Sequence, residues 1–197
     1  MIPENLNKLI ILASNSPRRQ ELLRQIGIAF RTIPSDADEA ILPGESPEKY
    51  AVRVALDKAS SVAARTDSGI VIGADTIVVV GDEILGKPAD ARDAARMLTM
   101  LSGKMHRVIT GLAIVDASTT AVKTASAVTR VWFYDMTPEA IESYVATGEP
   151  LDKAGAYGIQ ERGALFVERI DGCYFNVVGL PLSLLAGLLR DADITLI

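Results

Sequence analysis

The segment that most constrains the fold is a short apolar run near the start of the chain that leads directly into a capped helix. Residues 9–13 are apolar and too few for a helix, so they predict a buried strand. Ser16 is a favoured N-cap residue, Pro17 suits the first helical position, and Gly27 is expected to end the helix. The segment therefore predicts a strand, a loop of small residues and a helix in direct succession.

Two arginines in the first turn of this helix, Arg18 and Arg19, indicate a binding site for an anion. A helix N-terminus carries about half a positive charge, so cations there raise the free energy unless an anion joins them. A polyphosphate would remove this conflict, because the backbone N–H groups, the hydroxyls of Ser14 and Ser16, and both guanidinium groups can donate to it. The alternative is a solvated pair of arginines at a helix start.

The composition restricts both the size of the core and the kinds of partner. With 197 residues, of which 49% are hydrophobic, the chain can bury a sizeable core as one domain or as two closely joined lobes. The formal net charge of −5 argues against broad binding to nucleic acid or to an anionic membrane, which would need an extended basic surface. Any site for an anion is therefore expected to be local.

The sequence contains one cysteine and one histidine, which limits the chemistry. Cys173 alone allows neither an intrachain disulfide nor a cysteine zinc cluster, which fits a reducing cytoplasm, and we expect it to pack as a small hydrophobic residue. His106 lies at the start of an apolar strand and is predicted to be a hydrogen-bonded structural residue. The chemistry is then expected to depend on Asp, Glu, Lys, Arg and a bound metal ion.

The sequence shows neither the pattern of a membrane span nor that of a secretory leader. Glu4 and Lys8 interrupt the first residues, and the longest apolar stretch, residues 177–189, contains Pro181 and Ser183. A transmembrane helix needs roughly 18 or more apolar residues. We therefore expect no membrane partner.

Charged residues before and within the second predicted helix are further candidates for a site. Residues 35–39 form an acidic loop whose carboxylates could bind Mg²⁺, although a solvated acidic loop is equally compatible with the sequence. The helix predicted over residues 46–66 carries Lys58 on the same row as its core-facing residues. Lys58 either reaches the rim of the core or directs its ammonium group into a cleft, and we favour the cleft because the surrounding residues are small.

Asp75 lies inside an apolar strand pattern over residues 69–80. An ionised carboxylate in such a run costs free energy unless it is paired, hydrogen-bonded or bound to a metal ion. Asp75 is therefore predicted to have a partner, either in a catalytic or metal site or in a structural salt bridge or backbone cap. A turn at residues 81–82 and a strand at residues 83–85 predict a hairpin that would bring Lys87 towards Asp75.

A glycine-rich segment, residues 151–163, is the third informative stretch. Glycines let the backbone approach a ligand, and the amide of Gln160 can donate and accept at once, as recognition of a nucleobase edge requires. Asp171-Gly172 predicts a second hairpin, between strands at residues 164–170 and 174–178. The other elements expected from periodicity and capping are strands at residues 30–34, 105–115 and 125–134 and helices at residues 90–101, 137–147 and 182–190.

Taken together, these motifs resemble those of the Maf family of nucleoside triphosphate pyrophosphatases. The matching segments, in chain order, are Ser14-Asn-Ser-Pro-Arg-Arg19, Gly73-Ala-Asp-Thr76, Gly86-Lys-Pro88, residues 102–111 and Asp152-Lys-Ala-Gly-Ala-Tyr-Gly-Ile-Gln160. The last segment is similar to the branch that hydrolyses dTTP and UTP and differs from the branch that acts on 7-methyl-GTP. The resemblance extends from about residue 9 to residue 183 in the expected order.

The resemblance implies an α/β fold with an elongated mixed β-sheet flanked by helices, as a single domain over residues 1–197 with two lobes and a substrate cleft between them. It also implies a cytoplasmic homodimer that uses a divalent cation, Mg²⁺ or Mn²⁺. Asp75 matches the proton acceptor of the family. The positions tied to substrate choice are matched by Arg18, Thr76 and Gln160, and the polar residues lining the site are matched by Arg19, Glu39, Lys58 and Lys87.

The resulting hypothesis is hydrolysis of dTTP, UTP or a modified pyrimidine nucleotide through attack of water on the α-phosphorus, with release of pyrophosphate. Asp75 would position or deprotonate the water, and Glu39 and Asp75 are the candidate metal ligands. The charge of the transition state would be stabilised by the cationic residues Arg18, Arg19, Lys58 and Lys87.

Two other classes of function remain open at this point. The first is a nucleotide-binding regulator without turnover, because the Maf family has been linked to inhibition of septum formation. The second is a nucleotidyltransferase or kinase, which would share arginines and acidic metal ligands. The sequence offers neither G-x-x-x-x-G-K-[ST] nor a kinase glycine loop in support of that second class.

Overall fold

The strand, loop and helix predicted at the start of the chain are present in the computed structural model, which describes residues 8–194 and 196. Strand β1 (Ile10–Leu12) is fully buried and leads to helix α1 (Pro17–Gln25). The Ser16 side chain accepts a hydrogen bond from the Arg19 backbone N–H, as the cap prediction requires. Residues 1–7, which include the Glu4 of the leader prediction, and residues 195 and 197 of the predicted 1–197 domain lie outside the described residues.

The strands of the described residues form a mixed sheet of seven strands. After β1 they are β2 (Phe30–Thr32), β3 (Ile70–Val80), β4 (Glu83–Leu85), β5 (Met105–Asp116), β6 (Val122–Phe133) and β7 (Val167–Asp171). The strand order is β2-β1-β3-β5-β6-β7, with β4 paired to β3. Strand β1 is parallel to β2 and β3, whereas β4 and β7 are antiparallel to β3 and β6. The first predicted hairpin, β3 to β4, is therefore confirmed.

The helices that follow α1 are α2 (Pro47–Ala63), α3 (Ala91–Leu101), α4 (Pro138–Val145), α5 (Tyr174–Val178) and α6 (Leu182–Arg190). Ser46, Asp90 and Thr137 cap α2, α3 and α4 with side-chain oxygens that accept from a backbone N–H of the first turn. The glycine-rich segment contains short 3₁₀ turns rather than a regular helix or strand. Among the described residues, no helix combines the length and apolarity needed to cross a membrane.

The chain divides into two compact units, of which the first comprises residues 8–75, 110–127 and 179–194 within the described part. Its core includes a cluster in which α2 packs on the sheet through Ala55 and Ala59. Gly73 permits this close approach, because a Cβ atom there would lie 2.1 Å from the carbonyl oxygen of Ala55. The helix that carries Lys58 therefore lies directly against the strand that carries Asp75.

The second unit comprises residues 76–109 and 128–178. Its core contains a group of aromatic rings in edge-to-face contact, formed by His106, Phe133 and Tyr157. His106 is 1% exposed, and its Nε2 lies 2.8 Å from the hydroxyl of Tyr157. Burial lowers the pKa of His106 to about 3. The prediction of a hydrogen-bonded structural histidine is confirmed.

The predicted hairpin around Asp171-Gly172 is wrong, because residues 174–178 form helix α5 and β7 pairs with β6. Hydrogen bonds hold the start of α5: the Cys173 carbonyl accepts from the backbone N–H of Asn176, and the Cys173 N–H donates to Thr129 Oγ1. Asn176 also donates to the Val108 carbonyl. These tertiary contacts favour a helix over the strand that the Asp-Gly pattern predicts, and Cys173 itself is only half-buried.

Candidate functional site

The predicted anion site at the start of α1 is built around Arg19. Ser14 Oγ accepts hydrogen bonds from the Ser16 N–H at 3.2 Å and from Arg19 Nη1 at 3.1 Å. Arg19 Nε donates to the Gly179 carbonyl at 2.9 Å. These bonds orient the guanidinium group at the N-terminus of α1.

The charges around Arg19 place it beside two carboxylates and a second arginine. Burial is the largest cause that lowers the pKa of Arg19, and the Asp75 carboxylate opposes this effect. Arg18 lowers the Arg19 pKa further, and Glu39 opposes it. Because burial outweighs the carboxylates, an additional anion in contact with Arg19 would stabilise its charged form.

Lys58 is the partner that the sequence required for Asp75. Its Nζ lies 2.7 Å from Asp75 Oδ1 and 2.7 Å from Glu39 Oε1. The Lys58 and Asp75 side chains are 12% and 9% exposed, whereas that of Glu39 is 56% exposed. The ammonium group therefore contacts a buried carboxylate and holds a more exposed one beside it, where solvent and ligands have access.

The acidic loop that carries Glu39 is fixed to α2 by hydrogen bonds to its backbone. The hydroxyl of Tyr50 donates to the Glu39 carbonyl at 2.8 Å, and Arg53 Nη2 donates to the Ala40 carbonyl at 2.8 Å. Burial, with the nearby Asp75 and Glu39 charges, raises the pKa of Tyr50 to about 12, so the hydroxyl remains a donor at neutral pH. These hydrogen bonds from α2 therefore fix the backbone position of Glu39, although its side chain is exposed.

The carboxylates of Glu39 and Asp75 have the chemistry needed to hold a divalent cation. Both direct an oxygen at the same ammonium group, so a region of negative charge between them already holds a cation. Magnesium binds through one or two carboxylates completed by substrate phosphates and water. Within residues 8–194 and 196, no cluster of three or more His, Cys, Asp or Glu side chains could hold a metal ion alone. The two carboxylates fit a metal that is bound jointly with a phosphate ligand.

The first unit thus brings together six of the residues predicted for the site. They are Ser14, Arg18, Arg19, Glu39, Lys58 and Asp75. The cluster contains three cationic side chains and two carboxylates. Its chemistry suits the binding of an anionic ligand together with a cation.

The other predicted residues, Thr76, Lys87 and Gln160, belong to the second unit. Thr76 is half-buried and directly follows Asp75 in β3, and Lys87 is exposed on the corner after β4. The Gly155 N–H donates to the Gly86 carbonyl at 3.0 Å. This bond ties the glycine-rich segment to the corner that carries Lys87.

The segment that carries Gln160 also contains a buried lysine that the sequence analysis missed. Lys153 Nζ donates to the Glu149 carbonyl at 2.7 Å and to Asp152 Oδ1 at 2.9 Å, and it lies 3.8 Å from Glu161 Oε2. Nothing in the local sequence marks Lys153 as buried: Asp152 precedes it, and the small residues Ala154 and Gly155 follow it. Gln160 itself is exposed, as a residue that contacts a ligand should be.

Comparison with known proteins relates this chain to one family over most of its length. A family model described as Maf-like protein matches residues 9–192. A protein of Syntrophomonas wolfei named dTTP/UTP pyrophosphatase is 52% identical over 178 residues, which cover 90% of this chain and 94% of that protein. A protein of Geobacter metallireducens with the same name is 55% identical over 181 residues, which cover 92% and 93%.

A solved structure supports the same fold at low sequence identity. The Ham1 protein of Staphylococcus aureus matches with a TM-score of 0.52 and 17% identity, over 94% of this chain and 100% of that chain. The predicted α/β class, with a mixed sheet flanked by helices, is therefore confirmed.

Proposed function

This chain belongs to the Maf family, and from that premise we propose that it hydrolyses dTTP and UTP to the nucleoside monophosphate and pyrophosphate. The relatives that share about half of its residues carry the name of this activity. The observation that carries the proposal is the Lys58 ammonium group shared by Glu39 and Asp75, close to the arginines of the α1 N-terminus. Modified pyrimidine nucleoside triphosphates are a further proposed substrate class.

The N-terminus of α1 is the proposed binding site for the triphosphate. Its first-turn N–H groups, the Ser14 hydroxyl and the guanidinium groups of Arg18 and Arg19 are all donors suited to phosphate oxygens. The hydrogen bonds of Arg19 to Ser14 and Gly179 support this role, because a preoriented guanidinium loses less entropy on binding.

Asp75 is the proposed proton acceptor. Its carboxylate would take a proton from the water that attacks the α-phosphorus, while the bond to the leaving pyrophosphate breaks. Lys58 supports this role because its ammonium group, 2.7 Å from Asp75 Oδ1, holds the carboxylate in place. Lys58 and Lys87 would also offset the negative charge that develops on the phosphoryl oxygens.

A divalent cation, Mg²⁺ or Mn²⁺, would be held by Glu39 and Asp75, and when bound it would neutralise charge on the triphosphate. This proposal is supported by the direction of both carboxylates towards one cation, Lys58. Glu39 is the more exposed of the two and hence the more accessible ligand.

Recognition of the base is assigned to Gln160, with Thr76 and Arg18 as further determinants of substrate choice. The Gln160 amide offers a donor and an acceptor, which matches the neighbouring carbonyl and N–H groups on the edge of thymine or uracil. Its exposure supports the assignment.

A nucleotide panel tests the proposed function. Purified protein is incubated with dTTP, UTP, dCTP, dATP and dGTP in the presence of Mg²⁺ or Mn²⁺, and pyrophosphate and orthophosphate are measured separately. We expect pyrophosphate and the monophosphate, fastest with dTTP and UTP. Orthophosphate alone would indicate a different phosphoryl transfer, and nucleotide binding without either product would favour the regulator. The same panel applied to Asp75→Asn tests the proton acceptor. Asp67→Asn, at an exposed aspartate outside the site, is its matched control.

Assembly as a homodimer and a cytoplasmic location complete the proposal. The family resemblance supports both, and the single cysteine is compatible with a reducing compartment. Light scattering on the purified protein measures the mass directly, and a monomer at micromolar concentration would overturn the dimer.

A further inference from the structure

One carboxylate joins the beginning and the end of the glycine-rich loop. Glu149 lies in the first 3₁₀ turn of this region. Its Oε1 accepts a hydrogen bond from the Gly163 N–H at 3.1 Å, and its Oε2 accepts one from the Arg162 N–H at 3.2 Å. Because Gln160 lies between these two ends of the loop, Glu149 closes the loop that presents it.

The same carboxylate is anchored to the core of the second unit through Tyr144 of α4. The Tyr144 hydroxyl donates to Glu149 Oε1 at 2.7 Å and accepts from the Gly158 N–H at 3.2 Å. Burial, followed by the hydrogen bond to Glu149, raises the pKa of Tyr144, so its hydroxyl stays protonated. The Tyr144 ring packs edge-on against Phe166. Tyr144 therefore links the loop to the buried core of the second unit.

The backbone of the loop packs closely against these groups at two glycines. A Cβ atom at Gly163 would lie 2.7 Å from the Tyr144 hydroxyl, and one at Gly158 would lie 2.6 Å from Lys153 Cε. Lys153 in turn donates to the backbone carbonyl of Glu149. Both the side chain and the backbone of Glu149 are thus held by contacts with the segment that carries Gln160.

We propose that Glu149 is the positioning residue for Gln160: by closing residues 149–163 it holds the Gln160 amide ready for the edge of a pyrimidine base. The proposal deepens the proposed function and rests on it, because base recognition by Gln160 is part of that function. A carboxylate is needed because three donors converge on it. An amide at the same place would set its own N–H group against one of those donors.

The test is Glu149→Gln, which keeps the side-chain shape, with Glu142→Gln as the matched control. Glu142 is exposed on α4, and the control makes the same change of charge. We expect the KM for dTTP and UTP to rise about tenfold in Glu149→Gln, with kcat changed much less, and the preference over dATP and dGTP to shrink. The control should match the wild type.

Hydrogen exchange supplies a readout that does not depend on activity. In folded Glu149→Gln, the amides of residues 162 and 163 should exchange faster, while the amides of β6 and α3 should keep their rates. A general loss of stability would instead accelerate exchange throughout the second unit. Unchanged exchange at residues 162 and 163, or unchanged KM and base preference in the folded variant, would overturn the proposal.

A second variant keeps the proposal testable if Glu149→Gln does not fold. Tyr144→Phe retains the buried ring and removes one hydrogen bond of the Glu149 carboxylate, and we expect about a threefold rise in KM with kcat preserved. No rise in KM would overturn the proposal. If the wild type releases no pyrophosphate from any nucleotide, the proposed function fails, and the dissociation constant for dTTP then replaces KM in the same comparison.

Discussion

The buried histidine provides a pH-dependent test of the folded structure. His106 is the only histidine in the sequence, and burial lowers its pKa to about 3 in the folded chain. In the unfolded chain the pKa returns to 6.5. Below pH 6.5 the unfolded state therefore binds more protons than the folded state, and the free energy of unfolding falls as the pH decreases.

The magnitude follows from the separation of these pKa values. Each pH unit below the unfolded pKa costs about 1.4 kcal/mol until the folded group also titrates. At about pH 5 the loss is about 2 kcal/mol relative to about pH 8, and this figure hardly changes if the folded pKa is anywhere between about 2 and about 4. The contribution is fully present above pH 6.5 and is lost progressively down to about pH 3.

The assay is urea unfolding, followed by circular dichroism, of the wild type and of His106→Gln at about pH 8 and about pH 5. The variant loses the bond to Tyr157 and is expected to be less stable at both pH values. On going from about pH 8 to about pH 5, only the wild type should lose the additional free energy of unfolding of about 2 kcal/mol. In the folded wild type, the imidazole proton resonances should not titrate over the same range.

Equal pH dependence in the wild type and the variant would refute the reasoning, because carboxylates and other groups would then account for the whole effect. An imidazole that titrates near pH 6.5 in the folded protein would also refute the reasoning. Either result would mean that water reaches His106, contrary to its burial among Phe133 and Tyr157.

Three further predictions concern the site and the close approach of helix to sheet. Asp75→Asn should lower turnover by about 10²–10⁴ with an unchanged circular dichroism spectrum, and a near-normal rate would remove Asp75 from the chemistry. Gln160→Ala should raise the KM for pyrimidine triphosphates more than it changes kcat, whereas an unchanged KM across the nucleotide panel would contradict base recognition. Gly73→Ala should destabilise the protein by about 3 kcal/mol in urea unfolding, because the new Cβ would meet the Ala55 carbonyl. Gly187→Ala is its control: nothing lies within 4 Å of a Cβ there, inside α6, and stability should rise by about 0.5–1 kcal/mol.

Local patterns predicted most of the elements because local chemistry determines them. Ser16 caps α1, and Gly27 follows its end with a φ of +73°. The observed ends of two elements differ from the predicted ends, because periodicity gives no signal there. Helix α2 ends at Ala63 rather than near residue 66, and β6 begins at Val122 rather than at residue 125. Helix α5 was not predictable, because contacts with Thr129 and Val108, distant in sequence, decide its conformation.

Some residues of the site can be predicted from the sequence, whereas others are recognised only in the folded structure. Asp75 is visible in the sequence because a carboxylate in an apolar strand requires compensation, and the structure supplies Lys58. Lys58 is visible because a cation on a core-facing row needs a reason to be there. Glu149, in contrast, violates no local rule, since a glutamate beside a turn is ordinary. Its importance arises only when the chain brings the amides of residues 162 and 163 onto its carboxylate. Residues that break a local rule can therefore be found from the sequence, whereas residues that position them require the folded structure.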